Sequence, residues 1–494
     1  AVMAEARDRQ ITRREALETA RKYAEEIAAN YSHRFVTVME KALRRLWNRL
    51  YDGVIVGHAE TLQQVAEGNE IVYVPCHRSH MDYLLLSYAI YGQGYVVPHI
   101  AAGLNLNMPV AGRFLRKGGA FFIRRSFRGN ALYTIVFMKY LATIMARGHS
   151  IEFFIEGGRS RTGRLLQPKT GMLSMTVRSF LREPERPVVF VPVYFGYERV
   201  VEAATYVSEL SGKPKEKESV FGMLKALRVL REKFGRVHVN LGEPIGLEDV
   251  LARAAPDWRA HGLENDARAP WLAHVVDELA GRIMRNINAA AAVTPVNLLA
   301  LTLLATPRQA MLRADLLRQL ELYVALLALA PYGPRVTVTT ESPESILAYG
   351  EAMNMVALQP HKLGDLVRMS DASAVLAAWY RNNVLHLFAM PSLIACAFVG
   401  HSIMRSEDIH RLVWRIYPYI AGELFIRWPE EEVRTVTDGL LAAFAARGLL
   451  AATADSMLSN KKRDELYRIF VNCLHTAVAF RLTAVPRDLD VPAA

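Results

Sequence analysis

The sequence predicts an α/β layered domain held between two helical regions. Three observations carry that expectation. Residues 53 to about 245 alternate short apolar strand candidates with helical stretches, the pattern of helices packed on the faces of a sheet. Residues 1 to about 50 repeat apolar positions at helical spacing. Beyond about 246 the chain is helical again and rich in Ala and Leu. The expected division is therefore a helical region over 1–52, an α/β domain over 53–255 and a larger helical domain over 256–494.

The elements follow in order. ALETARKYAEEIAANY has one apolar and one charged face, and Thr12 just before it suits an N-cap. GVIVG, IVYVPC, GYVVPHI, AFFIRR, SIEFFIE, PVVFVPVYFGY and RVHVNLG are the strand candidates. ALYTIVFMKYLATIMARG and GMLSMTVRSFLR are helices between them. The C-terminal helical pattern breaks at YGPRVTVTTESPES and near TADSMLSNKKRDE.

Composition narrows the chemistry. A chain of 494 residues, 51% hydrophobic, can bury a large core. Cys76, Cys396 and Cys473 are too few and too scattered for a disulfide framework or a cysteine-built zinc site, which suits a reducing compartment. The opening AVMAEARDRQ lacks the basic-then-apolar pattern of a secretion signal, so export is not expected. The net charge of +11 is compatible with nucleic acid, anionic lipid or an anionic substrate. Its distribution decides more than its total. Between His77 and Thr170 stand thirteen arginines and lysines against Asp82, Glu152 and Glu156, nearly the whole surplus of the chain.

No run of about 18 to 20 uncharged apolar residues indicates a spanning helix. LFAMPSLIACAFV, residues 387 to 399, is too short to cross and contains Pro391, so it reads as core or as an interfacial segment. Residues 102 to 119, AGLNLNMPVAGRFLRKGG, place apolar side chains ahead of a basic cluster, as at an anionic membrane surface.

The stretch VPCHRSHMDYLLLSY, residues 74 to 88, holds the first chemical signal. His77 and Asp82 are five apart, a spacing that faces opposite ways on a helix or a strand. A bend brings them together, and Ser79-His80-Met81-Asp82 fits a capping box that supplies one. Read alone, the motif fits a capping aspartate beside a chance histidine as well as a His–Asp pair that makes a hydroxyl nucleophilic. A metal site from His77, His80 and Asp82 lacks an obvious further ligand. A Cys76 thiolate would face away from His77 on extended backbone.

Two further stretches add cations. GGAFFIRRSF ends a strand in Arg124 and Arg125, whose planar donor forks suit phosphate as well as surface ion pairs. SIEFFIEGGRSRTGRL runs a strand into a turn of glycine, hydroxyl and arginine, the composition of an oxyanion-binding loop. Gly158 to Gly163 begins a phosphate-loop pattern, but Arg164-Leu165 replaces its Lys-Ser/Thr, and Lys169-Thr170 comes too late, so a nucleotide triphosphatase is excluded. Glu156 is expected to orient an arginine or hold a substrate hydroxyl. There is no Gly-x-Ser-x-Gly elbow for a serine hydrolase.

HRSHMD resembles the His-x4-Asp motif of the glycerolipid acyltransferases. GGAFFIRR, FIEGGRSRTG and VPVYFGYE resemble their second, third and fourth motifs, in order. The longer wording, with EGGRSRTGRLLQPKTGML, is similar to the bacterial membrane-bound glycerol-3-phosphate acyltransferases. It spans residues 70 to 200 closely and the C-terminal part, including YRNNVLHLF, more loosely. The resemblance implies a mixed-sheet domain and acyl transfer from acyl-CoA or acyl carrier protein to the 1-hydroxyl of sn-glycerol 3-phosphate, without metal or organic cofactor. It makes His77 the base and Asp82 its orienting partner. It makes Arg124, Arg125, Glu156, Gly157, Arg159, Ser160, Arg161, Lys169 and Pro192 substrate-binding. It also implies attachment to anionic lipids at the cytoplasmic face of a bacterial inner membrane. The family's bacterial members are usually longer than this chain. The rivals are an acyltransferase for lysophosphatidic acid or dihydroxyacetone phosphate, and a nucleic-acid-binding protein. The latter is not expected, because the aromatics are not interleaved with the basic cluster.

Overall fold

The computed structural model describes residues 2–8, 10–127, 129–182, 184–203, 206, 234–259, 270–398, 401–453, 456–459 and 467–469. Its chain divides into two compact units: 1–160 with 165–205 and 212–290, and 161–164 with 206–211 and 291–494.

The first unit begins with three helices, α1 (Val2–Asp8), α2 (Arg13–Ile27) and α3 (His33–Leu50). Thr12 caps α2 as its sequence predicts. Its hydroxyl accepts from Glu15 N–H, and the Glu15 carboxylate returns to Thr12 N–H at 2.8 Å, a full capping box. Ser32 caps α3 by accepting from Phe35 N–H.

An eight-stranded mixed sheet follows, built from β1 (Gly53–Gly57), β2 (Glu70–Pro75), β3 (His99–Gly103), β4 (Ala120–Ile123), β5 (Ile151–Glu152), β6 (Val188–Tyr197), β7 (Arg236–Leu241) and β8 (Ile245–Gly246). The order is β1-β7-β6-β2-β5-β3-β4, with β8 against β6. From β6 through β4 every neighbour is parallel, whereas β7 and β8 run antiparallel to β6. All residues of β2 and β6 are buried, as the unbroken apolar runs IVYV and VVFVPVYF require in strands covered on both faces. The helices between strands are α4 (Glu60–Val65), α5 (Asp82–Gly92), α6 (Ala111–Lys117), α7 (Ala131–Ala146) and α8 (Gly171–Arg182).

Two strand expectations shift. GYVVPHI pairs only from His99 and continues to Gly103, because Pro98 has no N–H to give a ladder and Tyr95 N–H is used in closing α5 on Ile90 C=O. SIEFFIE pairs only over Ile151–Glu152. Beyond it the backbone turns, with Gly157 N–H on Phe154 C=O and Lys169 N–H on Ile155 C=O.

Parallel order has one consequence for the site. The segments leaving the C-terminal ends of β2, β4, β5 and β6 all emerge on the same edge of the sheet, where ligands of such sheets bind. These segments carry HRSHMD, RR, FIEGGRSR and the residues after VPVYFGY.

The second unit is mainly helical, with helices at Pro295–Leu304, Arg313–Leu329, Pro343–Ala352, Asp371–Cys396, Ser406–Leu424 and Val433–Ala446. Its breaks carry short strands in three small sheets, a feature the Ala- and Leu-rich pattern did not signal. Residues 387–398 lie within and just beyond the Asp371–Cys396 helix and are at least half covered throughout, with Leu387 at 2% and Phe388 at 1% exposure. They are core of this unit and not an exposed insertion segment; Val399 lies outside the described residues. Among the described residues no helix is long and apolar enough to cross a membrane. Arg128 and Cys473 also lie outside them.

Candidate active site

The chain leaves β2 at Cys76 and bends through 77–81 before α5 begins at Asp82. The bend closes the five-residue gap: His77 Nδ1 lies 3.0 Å from Asp82 Oδ2. The same oxygen accepts the backbone N–H of Arg78 at 2.6 Å and of Ser79 at 2.9 Å, and Tyr197 donates its hydroxyl to Oδ1. A carboxylate taking these donors is an acceptor toward His77 too. Nδ1 therefore carries the hydrogen and Nε2 is left as the basic nitrogen. The imidazole packs on Phe154, with ring centroids 4.0 Å apart, and edge-to-face on Tyr83 at 5.3 Å. Its orientation is fixed from two sides.

The expected capping box forms only in half. Asp82 reaches back to Ser79 N–H, but the Ser79 hydroxyl does not return to Asp82. It donates instead to Glu202, at 3.1 and 2.9 Å from the two carboxylate oxygens, and accepts from Met81 N–H. Glu202 also accepts His80 N–H at 2.7 Å and lies 3.5 Å from Arg159 Nη1. Burial raises its pKa, opposed chiefly by the His80 N–H and by Arg159. Sequence reasoning missed Glu202 and Tyr197, since neither spacing nor composition links them to residues about 120 positions away.

Glu156 corrects its expected role. Its Oε1 accepts His77 N–H at 2.8 Å and its Oε2 accepts Leu166 N–H at 2.7 Å, so it clips the glycine-rich loop to the catalytic turn through backbone. Burial pushes it up to about 7 against those two bonds and the nearby Arg78 charge. Ser160 N–H on His77 C=O at 2.8 Å closes the same junction. Gly157 has φ +60°, and a Cβ there would stand 2.8 Å from Lys169 Cδ, so glycine is needed for both backbone and space. The Lys169 side chain is exposed beside it.

Other cations are spoken for. Arg78 is buried with its guanidinium 4.5 Å above the Tyr194 ring. Arg124 is clamped by Glu26 of α2, with Nε and Nη2 each 2.7 Å from a carboxylate oxygen, between the Tyr23 and Tyr133 rings. Arg125 is exposed and makes no hydrogen bond or ion pair with another described residue. Pro192 lies inside β6 opposite Val74 of β2, three residues ahead of His77, and so belongs to the sheet beneath the site. Arg161 belongs to the second unit. There Gly163 has φ +83° and packs so closely on Trp379 C=O that a Cβ would collide with it.

Cys76 is buried, its sulfur accepts Phe195 N–H at 3.2 Å, and burial pushes its thiol up to about 12. It is a packed thiol and no nucleophile. Among the described residues no three His, Cys, Asp or Glu side chains are grouped to hold a metal ion.

A family model described as the glycerol-3-phosphate acyltransferase C-terminal region matches residues 206–482, over half of the chain. The chain belongs to the glycerol-3-phosphate acyltransferase family. A general acyltransferase model matches residues 54–196, the part that holds the His77–Asp82 pair. The glycerol-3-phosphate acyltransferase of Pseudomonas paraeruginosa is 49% identical over 471 residues, 95% of this chain and 56% of that protein. That of Xanthomonas campestris pv. campestris is 49% identical over 472 residues, 95% of this chain and 52% of its own. The chain thus spans about half the length of the curated relatives it matches. Among solved structures, the 1-acyl-sn-glycerophosphate (LPA) acyltransferase PlsC from Thermotoga maritima aligns over 50% of this chain and 79% of its own. Its identity is 20% and its TM-score 0.29.

Proposed function

We propose that this chain transfers a fatty acyl group from acyl-CoA or acyl carrier protein to the 1-hydroxyl of sn-glycerol 3-phosphate, giving 1-acyl-sn-glycerol 3-phosphate. The observation that carries the reading is the Asp82 carboxylate, which binds His77 Nδ1 at 3.0 Å and leaves Nε2 as a positioned base. Membership of the glycerol-3-phosphate acyltransferase family supports the acceptor.

In this mechanism His77 Nε2 takes the proton of the 1-hydroxyl as its oxygen attacks the thioester carbonyl. The oxyanion is met by backbone N–H donors of the motif turns. The C–S bond then breaks, and Nε2–H returns the same proton to the leaving thiolate. No acyl-enzyme forms, and no metal takes part. Arg125 is assigned to the acceptor phosphate, because its neighbour Arg124 is committed to Glu26. Arg161, Lys169 and the Gly157 turn complete the proposed clamp, while Glu156, Ser160 and Pro192 hold the scaffold around it. Residues 53–255 are proposed as the catalytic domain, flanked by the helical regions 1–52 and 256–494.

The proposed location is the cytoplasmic face of a bacterial inner membrane, on anionic lipid. An exposed apolar patch supports it: Met108, Val110 and Phe114 are 37%, 69% and 56% exposed, with Arg113 and Lys117 exposed beside them.

The deciding assay follows labelled glycerol 3-phosphate into lipid in the presence of acyl-CoA, with lysophosphatidic acid and dihydroxyacetone phosphate as competitors. Incorporation that depends on His77 and resists both competitors supports the reading. Preferential use of either competitor overturns it.

A further inference from the structure

Glu202 stands five residues beyond the end of β6, outside the four motif stretches, yet three separate segments converge on its carboxylate. Ser79 Oγ donates to both of its oxygens, His80 N–H donates to Oε1 at 2.7 Å, and Arg159 Nη1 lies 3.5 Å away. The side chains of Arg159 and Glu202 are only 6% and 11% exposed, so this is an interior ion pair and not a solvated one. Ser79 is fully buried and faces two carboxylates at once: its N–H is on Asp82 Oδ2 and its hydroxyl is on Glu202. The bond that helps hold Asp82 and the bond that holds Glu202 thus belong to one residue of one tight turn.

We propose that Glu202 is a positioning residue for the reaction, acting through Ser79 and His80 to hold the 77–81 turn at the geometry in which Asp82 orients His77. Arg159 is the counter-ion that keeps this carboxylate charged in the interior. The proposal rests on the acyl-transfer reading above and adds to it a residue that follows the fourth motif. Its physical basis is that turn geometry is over-determined. The segment between β2 and α5 has no ladder of its own, so its backbone is fixed by side-chain acceptors: Asp82 on Arg78 and Ser79, Glu156 on His77, Glu202 on His80. Removing Glu202 frees the His80 end of the turn and leaves Arg159 with no carboxylate at this position. A displacement of about 1 Å at a catalytic group costs about a hundredfold in rate.

The test uses the purified full chain and initial rates with glycerol 3-phosphate and acyl-CoA each varied, for Glu202→Gln, Glu202→Ala, Ser79→Ala and the double variant Ser79→Ala/Glu202→Ala. Glu202→Gln, which keeps size and one acceptor, should lower kcat about tenfold and Glu202→Ala about a hundredfold. The KM for acyl-CoA should stay unchanged. The double variant should be no slower than Glu202→Ala alone, because both changes remove one connection. Multiplicative losses would overturn the proposal, as would a lowered melting temperature with kcat within twofold of wild type. A raised KM for glycerol 3-phosphate at unchanged kcat also overturns it, placing the effect on acceptor binding through Arg159. If Glu202→Ala does not fold, the near-isosteric Glu202→Gln decides by the same kcat criterion. If wild type proves to acylate a different acceptor, the functional reading fails, and the same ratios measured with that acceptor still decide the role of Glu202.

Discussion

Arg124 and Glu26 form a two-pronged ion pair, with guanidinium Nε and Nη2 each 2.7 Å from one carboxylate oxygen. The pair ties the end of β4 to the N-terminal helix α2, and the neighbouring Arg125 stays exposed. Two adjacent arginines of one motif therefore have different physical tasks. Arg124→Ala should cost stability, about 1 kcal/mol for a partly solvated pair, with the acceptor KM little changed. Arg125→Ala should raise the KM for glycerol 3-phosphate by about one to two decades with the melting temperature unchanged. Kinetics and thermal melting on both variants separate the tasks, and the reverse pattern would move the phosphate to Arg124.

His77→Ala should lower turnover by about 10² to 10⁴ while the protein still folds. Asp82→Asn keeps the size but offers an amide where a full acceptor is needed, so it should lose turnover of the same order through the wrong tautomer. Tyr197→Phe removes only the hydroxyl that meets Asp82 Oδ1. A lost bond to a buried charge is typically worth about 1.5–3 kcal/mol, which should appear in urea unfolding together with a smaller loss of kcat. If Asp82→Asn turns over like wild type, Asp82 is a helix-end residue and nothing more.

Glu70 gives a pH signature remote from the chemistry. It opens β2, opposite the end that leads to His77, is 2% exposed, and its Oε1 has no hydrogen-bond partner among the described residues. Burial pushes it up to about 8, opposed by Arg186. Because the folded state holds the proton more tightly than the unfolded chain, its contribution is fully present below the ordinary value of 4.5 and is lost as pH rises through about 8. Glu70→Gln cannot ionise. Relative to wild type it should gain stability steadily over that window, reaching on the order of a few kcal/mol above it. Urea midpoints at pH 5 and pH 9 measure this, and parallel curves for the two proteins would refute it.

The two membrane candidates of the sequence should now behave differently. Leu387 and Phe388 are buried, so Leu387→Ser should destabilise the helical unit by about 2–4 kcal/mol whatever the lipid. Val110→Ser with Phe114→Ser removes exposed apolar surface at no cost in core packing and should reduce co-sedimentation with anionic vesicles at unchanged melting temperature. High salt should weaken binding only in part, since the Debye length falls to about 3 Å at 1 M while the apolar attraction persists. Wild-type binding that vanishes in salt, or a double variant that binds as well as wild type, would count against insertion at this patch.

The sequence by itself determined whatever depends on near neighbours along the chain. Period-2 and helical patterns fixed β1, β2, β6 and β7, the α7 and α8 helices and the Thr12 cap, because local backbone geometry sets those periods. The five-residue spacing of His77 and Asp82 already required a bend, and the Ser79–Asp82 pattern placed it. Only the tertiary structure decided which partners the polar groups took. Arg124 met Glu26 across 98 positions, Ser79 met Glu202 across 123, and Asp82 met Tyr197 across 115. Such choices rest on desolvation, since a charge taken out of water must find its partner wherever the strand order brings one. The apolar run from Leu387 reads alike for core and for membrane, because both are dry. Its burial among other helices was decided by packing, which no local pattern encodes.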